Sequence, residues 1–209
     1  MPLYKTIDVN NTTKVYIWKI EESYKALSEG IELTPPCRDR VDGMKSELHQ
    51  RGFMSVRHLL AEAGYVDADL FYDDLGKPHL KDGNHISITH SFHFSGIIVS
   101  KGIPVGIDIE KQRDKIVKIA NKFTPLREYK IIANHEALVS KLTIVWCSKE
   151  SLFKIHPAEG LSFLNNIYIE DFSFDDAQTT GKVRWNGNTS NYSIKFLEFE
   201  GFTCVYALQ

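Results

Sequence analysis

Apolar and polar positions along the chain fall into two rhythms. Residues 14–20, KVYIWKI, are rich in β-branched and aromatic side chains and predict a strand. Apolar residues at helical spacing (Phe53, Val56, Leu59, Leu60 and Ala63) predict a helix over 53–63 that stops at Gly64. Helical patterns also cover 21–29 and, after Thr34-Pro35-Pro36, a basic stretch over 38–50. Short strands are predicted at 69–72, 86–89, 96–100 and 105–109, with a turn at 73–78. The second half begins with three helices, 116–123, 125–135 and 138–155, with Pro125 suited to a first helical turn. Four strands follow, 167–170, 182–185, 192–199 and 203–207, with a turn at NGNTSN, 186–191.

Each half thus offers helices and a small antiparallel sheet, an α+β pattern that suggests two related lobes, 1–104 and 105–209. No residue-level repeat or long linker separates them. The 209 residues are 43% hydrophobic and 25% charged, an ordinary globular balance with enough chain for a core. A net charge of −2 argues against a nucleic-acid-binding surface. Cys37, Cys147 and Cys204 form no CxxC pair, which suggests reduced thiols. No signal-peptide-like or membrane-spanning apolar run is present, so the expectation is a soluble cytoplasmic protein with no membrane partner.

Two stretches carry chemistry. In PVGIDIE, 104–110, alternation puts Ile107 and Ile109 on one strand face and Asp108 and Glu110 on the other. Two carboxylates so placed are either a solvated face or part of a metal site. In VWCSKESLFK, 145–154, Trp146, Glu150 and Lys154 are spaced i, i+4, i+8 and share one helix face. That spacing alone fits an exposed ion pair beside a packing tryptophan. Asp108, Glu110 and Glu150 together offer three hard oxygen ligands of the kind Mg²⁺ takes alongside substrate phosphates. Cations for such phosphates are available at Lys77, His90, Lys154, Arg51 and Arg57.

The set and order of these motifs resembles the 4′-phosphopantetheinyl transferases, of the monomeric surfactin-synthetase-activating type. The matching pieces lie between residues 76 and 161. They are GKP (76–78), ITHS (88–91), PVGIDIE (104–110), KFTPLREY (122–129) and WCSKESLFK (146–154). GIDIE followed by WxxKESxxK is the specific part. The resemblance implies a pseudo-twofold pair of α+β lobes in one monomeric chain, with the active site in a cleft between them. It implies coenzyme A as donor and the serine of an apo acyl, aryl or peptidyl carrier protein as acceptor, as in a holo-[acyl-carrier-protein] synthase. Asp108, Glu110 and Glu150 match the Mg²⁺ set, and Lys154 a pyrophosphate contact. Arg51, Lys77 and His90 match positions that hold coenzyme A phosphates. Arg57 matches upstream only if the alignment slides, and Thr89 matches a residue near the adenine end. For the general base, Glu150, Glu128 and a metal-bound water stay open, with Glu150 first. Trp146 is read as packing.

Two departures stand out. Phe92 follows His-Ser where the family often has glycine, and the segment after Lys154 lacks the family's first glycine and is one residue longer. Since no implied metal ligand is lost, an active enzyme is favoured over a non-catalytic carrier-protein-binding relative. A different Mg²⁺-dependent phosphotransferase would bring GxxxxGK[ST], and none is present.

Overall fold

The computed structural model describes residues 3–125, 132 and 134–209, which form two compact units, Met1–Gly102 and Ile103–Gln209. The chain has the α+β class its sequence predicts, with a long helix against an antiparallel sheet in each unit. No helix among the described residues is long and apolar enough to cross a membrane.

The first unit runs β1 (Leu3–Asn10), β2 (Thr13–Lys19), α1 (Tyr24–Ser28), α2 (Pro35–Asp42), α3 (Glu47–Glu62), β3 (Leu70–Tyr72), β4 (Pro78–Leu80), β5 (His85–Ser91) and β6 (Phe94–Ser100). Its main sheet has the order β1-β2-β6-β5, every neighbour antiparallel, and β3 pairs with β4 as a separate hairpin. One face of α3 buries Phe53, Met54, Val56, Leu59 and Leu60 in a core with Trp18, Leu27 and Ile97. The helical breaks differ from expectation. Gly43 ends α2, and α3 then runs unbroken from Glu47 through Gly52. A helix interior tolerates a single glycine at a cost of about 1 kcal/mol, which tertiary packing here overrides.

The β5–β6 hairpin turns at Phe92 and His93, with Phe92 at φ 51°. That left-handed conformation favours glycine, which gives a physical reason for glycine at this place in the resembling family. Phe92 holds it at a cost of about 1–2 kcal/mol.

The second unit comprises β7 (Val105–Lys111), α4 (Lys115–Ile119), α5 (His135–Ile155), β8 (Ile167–Ile169), β9 (Gln178–Trp185), β10 (Asn188–Phe199) and β11 (Phe202–Leu208). The sheet order is β7-β11-β10-β9-β8, again antiparallel. Asn134 caps α5, its side chain accepting from Ala137 N at 2.9 Å. The β9–β10 hairpin closes through Asn186 and Gly187, both at positive φ, as a tight Asn-Gly turn requires. The predicted six-residue turn is therefore two residues, and Asn188–Asn191 already belong to β10. Most of the predicted helix over 125–135, Glu128 included, lies outside the described residues.

Candidate active site

The site in the second unit is built by one strand and one helix. A Cβ built on Gly106 would sit 2.0 Å from Ser151 O and 3.0 Å from Ile155 Cγ1, so α5 lies directly on the β7 backbone there. Only a residue without a side chain permits that approach. By strand alternation Asp108 and Glu110 point the same way as position 106, toward α5. The two carboxylates therefore do not line a solvated face. Asp108 is 6% exposed, and Ile107 and Ile109 on the opposite face are fully buried.

α5 answers with the predicted stripe. Trp146, Glu150 and Lys154 are all half-buried while their neighbours on the helix are mostly buried. Lys154 Nζ donates to Ile107 O at 2.8 Å and to Asp108 Oδ1 at 2.9 Å. Lysine and acid thus come from different elements, and this is no i, i+4 surface pair. Glu150 has its pKa raised to about 7, by burial first, then by the charge of Asp108, opposed by Lys154, with Glu110 adding to the rise. Three carboxylates and one ammonium lie within one electrostatic neighbourhood. Trp146 packs edge-on against Phe123 at 5.1 Å and tilted against Phe163 at 5.5 Å, which fixes this turn of α5.

The carboxylates fit a hard divalent cation by donor type and by charge, since a cation offsets the negative charge of Asp108 and Glu110 that adds to the burial-driven rise of the Glu150 pKa. They are not assembled as a cage: among the described residues no three His, Cys, Asp or Glu side chains stand together in metal-holding geometry.

Two neighbours have roles that the sequence did not reveal. Lys149 is fully buried and donates to Phe163 O at 2.8 Å and Ile167 O at 2.6 Å, tying the segment that follows α5 to the helix carrying Glu150. Its signal was its position one residue from Glu150, and hence on a different helix face. Cys147 is fully buried, and burial, followed by the charges of Asp108 and Glu110, raises its thiol pKa well above the usual range. It is a poor nucleophile.

The remaining candidates belong to the first unit. His90, at the end of β5, is exposed, whereas Thr89 beside it is buried. Lys77 is half-buried in the turn before β4. There Asp73 Oδ1 accepts from Leu75 N and Lys77 N, and Gly76 takes φ 78°. Burial lowers the Lys77 pKa against the opposing charge of Asp73. Arg51 donates from its Nη2 to Ile20 O at 3.0 Å, and its Nε is buried with no acceptor among the described residues.

Arg57 is a correction to the phosphate-binding assignment. Its Nε donates to Asp67 Oδ1 at 2.9 Å, with the side chains 2% and 0% exposed. Its other nitrogens reach Phe53 O and Cys37 Sγ, and its guanidinium lies 3.4 Å from the Phe53 ring centroid. A guanidinium so enclosed is structural. Its partner is ten residues on in sequence and beyond the helix, a separation no helical spacing rule flags.

Comparison with known proteins converges on the same elements. Residues 104–207, from just before β7 to the end of β11, match the model of the 4′-phosphopantetheinyl transferase superfamily. That segment holds Asp108, Glu110, Glu150 and Lys154, and leaves out Arg51, Lys77, Thr89 and His90. The chain is also 31% identical over 135 residues to the 4′-phosphopantetheinyl transferase gsp of Aneurinibacillus migulanus, a match covering 63% of this chain and 54% of that protein. The chain thus spans about half the length of the curated relative it matches. With the matched segment coinciding with the strand and helix that gather the charged groups, the chain belongs to the 4′-phosphopantetheinyl transferase superfamily.

Proposed function

We propose that this protein transfers 4′-phosphopantetheine from coenzyme A to a serine of an apo acyl, aryl or peptidyl carrier protein, releasing 3′,5′-ADP. The observation that carries this is the gathering of buried Asp108 with half-buried Glu110, Glu150 and Lys154, in which the Glu150 pKa is pushed up to about 7. Surface charge needs no such arrangement. A non-catalytic carrier-binding relative would have no use for mutually repelling carboxylates beside a half-buried lysine.

In this reaction the serine Oγ attacks the β-phosphorus of coenzyme A. The bond to the leaving 3′,5′-ADP oxygen breaks, and the serine proton is lost. Asp108, Glu110 and Glu150 would hold Mg²⁺, which when bound supplies charge neutralisation at the pyrophosphate. Lys154, poised on Asp108, supplies the second positive charge on a short path to a phosphate oxygen. Glu150 is assigned the serine proton as the helix-borne carboxylate of the group, since a carboxylate that reaches the hydroxyl directly or through one water can accept it. Lys77, His90 and Arg51 are assigned to the donor's phosphates.

Incubation with coenzyme A, Mg²⁺ and a panel of apo carrier proteins, read by intact mass, tests this. One carrier should gain a single phosphopantetheine. Asp108→Ala should abolish the gain while leaving the fold intact, and near-wild-type transfer by that variant would reject the assignment.

A further inference from the structure

His90 is an exposed side chain, and exposed histidines ordinarily sample several rotamers. Here the ring is hemmed in. A Cβ built on Gly52 of α3 would lie 3.0 Å from His90 Cδ2, 3.4 Å from Cγ and 3.7 Å from Nε2. The imidazole therefore lies against the bare backbone of the helix. His49, one turn earlier on α3, also meets the ring, edge-on at 6.3 Å between centroids. The helix is locked in place at this point. Ser55 Oγ donates to Gly52 O at 2.9 Å and pairs with Ser95 Oγ at 2.8 Å, and Ser95 is the cross-strand neighbour of His90. Both serines are fully buried. α3 thus has little room to back away from β5 and β6.

We propose that Gly52 and His49 form a seat for the His90 imidazole and are positioning residues for donor phosphate recognition. This rests on the function proposed above. The absence of a side chain at position 52 is the working part of the seat. Gly52 is not in the left-handed region, so the backbone itself would accept alanine. An alanine there improves helix propensity. Its Cβ also pushes the ring away by a few tenths of an ångström. Stability and ligand affinity should therefore move in opposite directions, which a purely structural glycine would not produce.

The test uses the full chain and Gly52→Ala, His90→Gln and the double variant. Melting temperature, the NMR signal of the His90 ring and the dissociation constant for coenzyme A are measured on each. In Gly52→Ala the melting temperature should hold or rise, the His90 signal should shift, and coenzyme A should bind about three- to tenfold more weakly, the equivalent of one strained rotamer. In the His90→Gln background the same alanine should have no further effect on affinity, because the coupling runs through the ring. His49→Ala should shift the His90 signal and weaken binding less. Unchanged affinity in Gly52→Ala, or an equal loss with and without His90, overturns the proposal. If wild-type chain binds no coenzyme A, the proposed function fails and takes the ligand role of the seat with it. The His90 signal then distinguishes that result from a seat that was never there.

Discussion

Arg57–Asp67 in the first unit and Lys154–Asp108 in the second are ion pairs of the same length, 2.9 Å, each with a largely buried acid. Their surroundings are opposite. Asp67 also accepts from Thr34 N and Thr34 Oγ1, both at 2.8 Å. Burial pushes its pKa up, but the bonds from Thr34 and Arg57 outweigh burial and hold it below the usual value. Asp108 shares its lysine with the Ile107 carbonyl, and its charge helps drive the neighbouring Glu150 up to about 7. The lysine is also 27% exposed, against 2% for Arg57. The first pair is a closed account of charge, surrounded by protein donors. The second carries excess negative charge and an accessible cation, so it has an electrostatic reason to take up a ligand. Distance alone would have ranked them equal.

Three measurements would break or sharpen that contrast. The largest effect is expected from Arg57→Ala, which leaves Asp67 buried without its guanidinium. Loss of one partner of a buried pair costs about 3–5 kcal/mol, so urea unfolding should show a strongly lowered midpoint. A loss under about 1 kcal/mol, the size of a surface pair, would erase the distinction. Next comes Lys154→Ala, which under the proposed function should cost about 2–4 kcal/mol in kcat/KM for coenzyme A and appear in kcat, because the phosphate charge it would meet grows as 3′,5′-ADP leaves. Its melting temperature should fall less than that of Arg57→Ala, because Lys154 is 27% exposed where Arg57 is enclosed. Full single-turnover transfer would return Lys154 to a structural role.

The smallest effect is in the pH dependence, where the two acids have opposite signs. Asp67, with a lowered pKa, binds fewer protons folded than unfolded near pH 4. Its contribution to stability is present above the unfolded carboxylate pKa and is lost as pH falls through the folded one. Glu150, raised from 4.5 to about 7, binds more protons folded than unfolded between those values. Stability of the metal-free chain should therefore decline as pH rises from about 4.5 to 7. Glu150→Gln should flatten that decline, and so should Mg²⁺. A decline that survives Glu150→Gln would assign it to another group.

The part of the site in the second unit was legible because each half of it obeys a single local period. Asp108 and Glu110 alternate with two isoleucines, and Trp146, Glu150 and Lys154 repeat every helical turn. What the sequence did not reveal is that the carboxylate face turns toward the helix, which depends on contact between Gly106 and Ser151, residues far apart in the chain. β1 was missed altogether. It lies at the end of its sheet, and only Leu3, Ile7 and Val9 are less than exposed, so the apolar signal is thin. The 53–63 periodicity located α3 but started it six residues late, because Gly52 resembles a break unless its contact with His90 is known. Arg57 was misassigned for a related reason: charge in a sequence is visible, whereas the acid that neutralises it from another element is not.

Gly106 also bears on how the chain can vary. In a library of all single substitutions selected for transfer, position 106 should be as intolerant as the carboxylates while taking no part in the chemistry. Its intolerance should follow side-chain volume, with alanine already failing, whereas positions 108 and 150 should sort by charge and donor atoms. Gly181, where an added Cβ would meet the side-chain ends Leu152 Cδ1 at 2.7 Å and Ile194 Cδ1 at 2.8 Å and the backbone only at 3.3 Å from Tyr168 O, should forgive more. A tolerance map of this protein would thus separate residues that do chemistry from residues whose emptiness lets chemistry assemble.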